Sequence, residues 1–191
     1  MRCFVGIQLP RRLSRDLAEA CDTIRTTDER WQGEKWTTPP NLHLTLGFLG
    51  AVAEADIPEL EERLGSVFAA SQPFTLPFRR LSAHPNPRRC SMIWADFLDP
   101  SDRCSTIANG IADIAGGPDS IADNRHFLPH VTLARARHVK PLDVAALRCA
   151  AETIAGDSRV MSVLCAKLFS STLTRHGPVY EVLRTWPLSG V

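Results

Sequence analysis

The sequence predicts an α+β fold in which two similar lobes face each other across a central cleft. The pattern His-apolar-Thr-Leu occurs twice, at residues 43–46 and 130–133, and each copy follows a proline-containing stretch. Segments with strand-like and helix-like periodicity recur around each copy in the order strand, helix, strand, helix. This weak internal duplication predicts that each copy lies in its own lobe and that the two copies meet.

The first half of the chain reads as strand, helix, strand, helix. Residues 2–9 alternate well enough to form a strand that Pro10 closes. Residues 11–26 follow with apolar side chains at helical spacing, namely Leu13, Leu17, Cys21 and Ile24. After a polar loop, the first His-apolar-Thr-Leu copy forms a strand. Residues 57–70 then form a helix with Pro58 in its first turn, where proline is tolerated.

The second half repeats the pattern with additional strands. Two strands come first, joined by a turn rich in proline and arginine, and the Gly-Gly-Pro sequence at 116–118 ends the helix that follows them. The second His-apolar-Thr-Leu strand precedes another helix and the last strands. The predicted ranges are strands at 74–83 and 90–98, helices at 101–115 and 142–155, and strands near 160–173 and 179–183.

Composition places the chain among ordinary globular proteins, and we expect residues 1–191 to form a single domain with two lobes. A formal charge of +1 does not favour a broad polyanion-binding surface, so a nucleic-acid partner would be held at one point, such as a strand end. Six dispersed cysteines without a Cys-x-x-Cys pair argue against a zinc site and a disulfide framework. We expect a soluble cytoplasmic protein, because no apolar run reaches the length of a signal peptide or membrane span.

The two copies place histidine and threonine on a common face. Side chains alternate between the faces of a strand, so His43 and Thr45 share one face, and His130 and Thr132 do the same in the second copy. Two imidazoles facing one cleft suit acid–base chemistry. Their reference pKa of about 6.5 allows one to be neutral and the other charged near neutral pH.

The residues around both copies make the pattern specific. They are Arg2, Phe4 and Ile7 in the opening strand, Trp36 before the first copy, the run Arg-His-Phe-Leu-Pro-His-Val-Thr-Leu-Ala-Arg at 125–135, and Gly-Pro-x-Tyr-Glu at 177–181. With these flanks, nearly the whole chain resembles the 2H phosphoesterases, which carry two HXTX motifs. The resemblance is to the RNA 2′,3′-cyclic phosphodiesterases, also described as 2′-5′ RNA ligases.

The resemblance implies two α+β lobes related by a pseudo-two-fold axis, each with an antiparallel sheet and one motif strand lining the cleft. It also implies hydrolysis of 2′,3′-cyclic phosphate at RNA ends to a 2′-phosphate, with 2′-5′ ligation as the reverse reaction. By analogy with the family, His43 is the proton donor and His130 the proton acceptor. The expected partner is an RNA end, and we expect no metal, no cofactor, no membrane association and a monomeric state.

Substrate-binding residues are expected near both histidines. Thr45 and Thr132 can donate hydrogen bonds to phosphate oxygens and stabilise the charge that develops on them. Phe48 and Arg135 occupy equivalent places, five positions after each histidine, which suggests a base-stacking face and a cation, respectively. Strict alternation places Arg135 on the face opposite His130. Its assignment therefore requires the strand to end, twist or bulge first.

Several other functions are compatible with parts of this pattern. They are a non-catalytic module that binds RNA ends, a phosphodiesterase acting on other cyclic or 2′-5′-linked nucleotides, and a metal-dependent hydrolase. Intact histidine and threonine in both copies argue against the first, and the lack of a clustered ligand set argues against the third. His126 and His130 have the spacing of helical zinc ligands, but Pro129 between them would break such a helix.

The remaining notable side chains are predicted to be structural. The four tryptophans, Trp31, Trp36, Trp94 and Trp186, are expected to pack in the core or between lobes and not to serve as base platforms. The histidines with polar or turn-like neighbours, His84, His138 and His176, are expected at the surface. The arginine clusters at 79–80, 88–89 and 135–137 fit a solvated face or an RNA path.

Overall fold

The computed structural model describes residues 1–115, 127–175 and 177–190, and these contain four α-helices and nine β-strands. The helices are α1 (Arg11–Thr27), α2 (Ile57–Ala69), α3 (Arg103–Ala115) and α4 (Val144–Ala151). The strands are β1 (Arg2–Gln8), β2 (Lys35–Trp36), β3 (His43–Ala51), β4 (Phe74–His84), β5 (Cys90–Phe97), β6 (His130–Lys140), β7 (Val160–Val163), β8 (Cys165–Thr174) and β9 (Gly177–Pro187).

The strands pair antiparallel in the order β7-β4-β5-β6-β3-β1-β8-β9, and β2 pairs with β6. β3 and β6 carry the two His-apolar-Thr-Leu copies and lie side by side at the centre, where they pair through Leu44 and Val131. A pseudo-two-fold axis between them relates β3, β1, β8 and β9, here the β3 lobe, to β6, β5, β4 and β7, the β6 lobe. The predicted α+β class with two pseudo-symmetric antiparallel lobes is confirmed.

The internal duplication is visible in the element order. Apart from the short strands β2 and β7, the order β1-α1-β3-α2-β4 is repeated as β5-α3-β6-α4-β8. The lobes are nevertheless not the two halves of the chain, because β4 from the first half pairs with β5 and β8 from the second half pairs with β1. Each half thus contributes strands to both lobes, and one continuous hydrophobic core joins them.

The helices cover the face of the sheet away from the histidines. α1 packs on α4, which packs on β4, and together they cover the β6 lobe. α2 and α3 pack on each other and cover the β3 lobe through contacts with β9 and β3. The predicted apolar positions of α1, which include Leu13, Leu17 and Ile24, are buried as their spacing indicated. None of the helices in the described ranges is long and apolar enough to cross a membrane.

Most predicted elements lie within a few residues of the observed ones, and three differ. The strand predicted near 160–173 is two strands, interrupted at Leu164, whose carbonyl accepts a hydrogen bond from the Leu188 amide at 2.9 Å. The helix predicted at 142–155 spans only Val144–Ala151, and the Asp143 side chain caps its start by accepting from the Ala145 amide at 2.8 Å. β2 was not predicted, since two residues are too few to show a period. The predicted helix stop at 116–118 lies outside the described residues.

Candidate active site

The first motif strand contains a β-bulge directly after its threonine. Gly6 of β1 pairs with Thr45, but the next residue back, Val5, pairs with Gly47, so Leu46 is the extra residue. Leu46 is buried and Gly47 also faces the core, where an added Cβ would lie 2.6 Å from Cγ2 of Ile111. Two successive residues therefore face the core, and the alternation shifts by one position.

The second motif strand contains the same bulge at the equivalent place. Trp94 of β5 pairs with Thr132, and Ile93 pairs with Ala134, so Leu133 is the extra residue. Both Leu133 and Ala134 are fully buried. The shift moves Arg135 onto the face of His130 and Thr132, as the first bulge moves Phe48 onto the face of His43 and Thr45. The bulge that the Arg135 assignment required is present.

The register between β3 and β6 brings the four motif side chains together. Leu44 pairs with Val131, so one step along each antiparallel strand sets His43 opposite Thr132 and Thr45 opposite His130. Each histidine therefore faces the threonine of the other copy. In a regular sheet, such diagonal neighbours as His43 and His130 have Cα atoms about 7–8 Å apart. The two imidazoles therefore lie on neighbouring strands as diagonal neighbours.

Backbone carbonyls fix the tautomers of both histidines in the same way. Nδ1 of His43 lies 2.7 Å from the carbonyl oxygen of Asn41, and Nδ1 of His130 lies 2.8 Å from that of Leu128. A carbonyl oxygen only accepts, so each Nδ1 carries a proton and donates it. Nε2 is then the atom of each ring that can gain or lose a proton. The two sites can therefore perform acid–base chemistry through matching atoms.

Aromatic rings surround His43. Its ring lies 4.8 Å from the ring of Phe4 and 5.1 Å from that of Tyr180, which it meets edge-on. Phe4 in turn stacks on Phe169 at 5.0 Å. Burial lowers the pKa of His43 below its ordinary value, and a positive charge on His130 lowers it further, whereas the hydrogen bond to Asn41 opposes this shift. One proton on the pair thus disfavours a second.

His130 has a different set of neighbours. Its ring stacks on Trp94 at 3.8 Å with an interplanar angle of 18°, and Trp94 stacks on His84 at 3.5 Å. Burial lowers the pKa of His130 below its ordinary value, and the guanidinium of Arg135 adds to this shift, while the Asp96 carboxylate and the hydrogen bond to Leu128 oppose it. The environments of the two histidines are therefore chemically distinct, although their strands are related by pseudo-symmetry.

Arg135 acts on both lobes. Its Nη1 donates to Sδ of Met92 at 2.9 Å, a weak bond that leaves the remaining guanidinium donors available. Burial raises the pKa of Tyr180 in the β3 lobe, and the charge of Arg135 opposes this shift. The same charge adds to the lowering of the pKa of His130. Arg135 is exposed, and its charge acts on side chains of both lobes. Phe48 is 62% exposed and lies 6.2 Å from the Phe4 ring, so one face of its ring is available for stacking.

The structure adds residues that sequence reasoning assigned elsewhere or left out. Trp94 was predicted to pack in the core or between lobes and His84 to lie at the surface, and both belong to the ring stack on His130. Asp96 pairs directly with His130 in the ladder. A charged residue within an otherwise apolar strand was the available signal for Asp96. Tyr180 belongs to the quoted Gly-Pro-x-Tyr-Glu run.

The zinc alternative finds no geometric support in the described residues. His130 begins a β-strand, so it does not present a helical i, i+4 pair, and His126 lies outside the described residues, as does His176. Within residues 1–115, 127–175 and 177–190, no three His, Cys, Asp or Glu side chains come close enough to hold a metal ion.

Comparison with known proteins gives consistent matches along the chain. The sequence model of the family described as LigT-like phosphoesterase matches residues 7–94 and 98–180. The RNA 2′,3′-cyclic phosphodiesterase of Archaeoglobus fulgidus is 31% identical over 186 residues, which cover 97% of this chain and 99% of the relative. The enzyme of the same name from Aquifex aeolicus is 28% identical over 192 residues and covers 100% of this chain and 98% of the relative.

Solved structures give the same picture of the fold. A protein of Thermus thermophilus superposes with a TM-score of 0.77 at 25% identity, covering 100% of this chain and 99% of that one. Escherichia coli LigT complexed with 3′-AMP superposes with a TM-score of 0.72 at 24% identity, covering 98% of both chains.

Proposed function

The chain belongs to the family of LigT-like phosphoesterases, and we propose that it hydrolyses 2′,3′-cyclic phosphate at RNA ends to a 2′-phosphomonoester. Relatives that match over almost the full length carry the name RNA 2′,3′-cyclic phosphodiesterase. The observation that carries the proposal is the pair of imidazoles on adjoining strands. Each has its Nδ1 bound to a carbonyl oxygen and its Nε2 left for proton transfer.

The reaction is an in-line displacement at phosphorus. Nε2 of neutral His130 accepts a proton from a water molecule as the water oxygen forms a bond to phosphorus. The bond between phosphorus and O3′ breaks, and Nε2 of protonated His43 donates its proton to O3′. The products are a 3′-hydroxyl and a 2′-phosphomonoester. His130 then loses its proton to solvent and His43 regains one, which restores the starting protonation states.

The other site residues stabilise the charge and hold the nucleotide. The hydroxyls of Thr45 and Thr132 donate hydrogen bonds to the non-bridging phosphate oxygens, whose charge grows in the transition state. The guanidinium of Arg135 attracts the phosphate from the mouth of the cleft. The exposed ring of Phe48 stacks on the terminal base. The partner is accordingly an RNA end held at its last nucleotides.

Ligation uses the same residues. A 2′-5′ linkage forms when a 5′-hydroxyl of a second RNA attacks the cyclic phosphate in place of water. Nε2 of His130 takes the proton of that hydroxyl, and Nε2 of His43 protonates O3′ as its bond to phosphorus breaks. Hydrolysis and ligation therefore differ in the nucleophile and not in the residues.

A short RNA ending in a 2′,3′-cyclic phosphate tests the function. We expect the wild-type protein, treated with a chelator, to convert it to the 2′-phosphate, and to leave a matched RNA ending in a 3′-phosphate unchanged. Product identity is read by chromatography against both phosphomonoester standards. Binding without turnover would instead support an RNA-end binding module. If only free cyclic or 2′-5′-linked nucleotides were hydrolysed, those nucleotides would be the substrates in place of RNA ends. Loss of hydrolysis in the presence of the chelator would contradict metal independence.

A further inference from the structure

The residues opposite the two histidines break the pseudo-symmetry of the site. In the β3 lobe, Gln8 of β1 pairs with His43. In the β6 lobe, the equivalent position on β5 is Asp96, which pairs with His130. A neutral amide therefore accompanies one imidazole, and a carboxylate accompanies the other. His43 and His130 therefore differ in the charge of their cross-strand partner, although the backbone around them is alike.

Hydrogen bonds hold the Asp96 carboxylate in place at both oxygens. The Ser82 hydroxyl donates to Oδ1 at 2.9 Å, and Nε of Arg80 lies 3.3 Å from Oδ2. Nε2 of His84 lies 2.9 Å from the Ser82 oxygen. Because the single Ser82 proton goes to the carboxylate, His84 donates its Nε2 proton to Ser82. The chain His84–Ser82–Asp96 thus fixes a carboxylate whose side chain is only 16% exposed.

Ring stacking fixes the imidazole next to this carboxylate. Trp94 lies between His84 and His130, with interplanar angles of 28° and 18°. The same pair of residues, Ser82 with its partner His84 on β4, therefore supports both the carboxylate and the ring stack. In the β3 lobe the residue equivalent to Trp94 is Gly6, which pairs with Thr45, so β1 offers His43 no ring at that position.

We infer that Asp96 is a positioning residue that stabilises the imidazolium formed when His130 accepts a proton from the attacking water. The inference rests on the proposed function. An acceptor becomes positively charged as the water is deprotonated, and a fixed carboxylate on the neighbouring strand lowers the energy of that charge. His43 has no equivalent carboxylate opposite it in the ladder, because its partner is Gln8, and its ring contacts those of Phe4 and Tyr180.

Several charged or titratable groups face His130. Asp96 of β5 raises the pKa of His130, and the positive charge of Arg135 on β6 lowers it. Arg80 forms an ion pair with Asp96. The two other titratable neighbours are His84 on β4 and His43 on β3. Burial lowers the pKa of His84, so His84 is neutral near pH 7 and leaves the carboxylate charge unopposed from that side. Asp96 is the one anionic group among these neighbours in the described part of the chain.

An NMR titration of the histidine side chains tests the electrostatic part and needs no substrate. In Asp96→Asn, which keeps the acceptor for Ser82, we expect the pKa of His130 to fall while that of His43 does not fall, because a less charged His130 repels a proton on His43 less. Asp157→Asn, at an exposed ion pair with Arg12, is the matched control and should change neither. Asp96→Ser supplies the same answer if the first variant is poorly folded. An unchanged His130, or an equal shift of both histidines, would overturn the inference.

Kinetics test the assigned role. Asp96→Asn should lower kcat/KM on cyclic-phosphate RNA about tenfold in the wild-type background and have no further effect in His130→Ala. With bis(p-nitrophenyl) phosphate, whose leaving group needs no proton, His43→Ala should regain activity, whereas His130→Ala and Asp96→Asn should not. Recovery by the His130 and Asp96 variants in place of His43→Ala would overturn the role. If the RNA is not cleaved, the NMR result still stands or fails by itself.

Discussion

His43→Ala and His130→Ala are each expected to lower kcat/KM for a 2′,3′-cyclic phosphate RNA by about 10²- to 10⁴-fold. Each substitution removes one of the two groups that we propose to move protons in the displacement. Initial rates with a fluorescent RNA measure the loss. His138→Ala is the matched control, because His138 is an exposed histidine on the same strand as His130 and faces solvent.

The double variant His43→Ala, His130→Ala tests whether the two histidines act in the same step. Residues that act as a unit are far from additive, so the double variant should lose about as much activity as the worse single variant. Circular dichroism should show that all three variants keep the fold, since both rings line the cleft and neither is part of the buried core. A single variant that retains the wild-type rate would remove that histidine from the mechanism.

Thr45→Val and Thr132→Val are each expected to lower kcat about 10²-fold with a small change in KM. Valine keeps the shape and strand preference of threonine but lacks the hydroxyl that donates to the phosphate. The charge on the non-bridging oxygens grows in the transition state, so the loss should appear in kcat more than in substrate binding. Separate determination of kcat and KM on the cyclic-phosphate RNA measures this split.

Thr75→Val controls for the loss of a hydroxyl as such, because Thr75 is an exposed strand residue on β4 away from the cleft. It should behave as the wild type. If the two motif variants raised KM and left kcat unchanged, the hydroxyls would bind the ground state and the transition state equally. If neither parameter changed, Thr45 and Thr132 would only be strand formers.

The family and the two-lobed fold could be predicted from the sequence because their signals are local. Both His-apolar-Thr-Leu copies, their proline entries and the periodicity of α1 are short-range patterns, and the observed elements agree with them. Which strands make up each lobe could not be predicted from the sequence. The return of β8 to pair with β1 is a long-range choice that no local pattern encodes.

The face of the sheet on which Phe48 and Arg135 lie is set by the β-bulges that follow the two motifs. An alternating pattern gives no direct sign of an extra residue, so Arg135 was predicted to need a bulge and could not be placed further. The indication, seen with the structure, is a leucine followed by a small residue in both copies: Leu46-Gly47 and Leu133-Ala134. The small residue is required where α3 approaches, because a Cβ at 47 would overlap Ile111.

Residues that complete the surroundings of the histidines come from distant strands. Trp94 and Asp96 are on β5 and Tyr180 is on β9, so their proximity to the motifs depends on strand pairing and not on sequence spacing. The general preference of tryptophan for buried positions gives no indication that Trp94 stacks on His130. The predicted monomeric state and cytoplasmic location remain predictions.

The pH dependence of kcat/KM on the cyclic-phosphate RNA tests the two-histidine account most directly. The donor must be protonated and the acceptor neutral, so the wild-type profile should be bell-shaped. Burial lowers the pKa of both His43 and His130, which places the maximum below about pH 6.5 and makes activity fall as pH rises above it. The residual activity of each single alanine variant should lack one limb of the bell. A wild-type rate that rises steadily into the alkaline range, or two limbs that persist in both variants, would contradict catalysis by this pair.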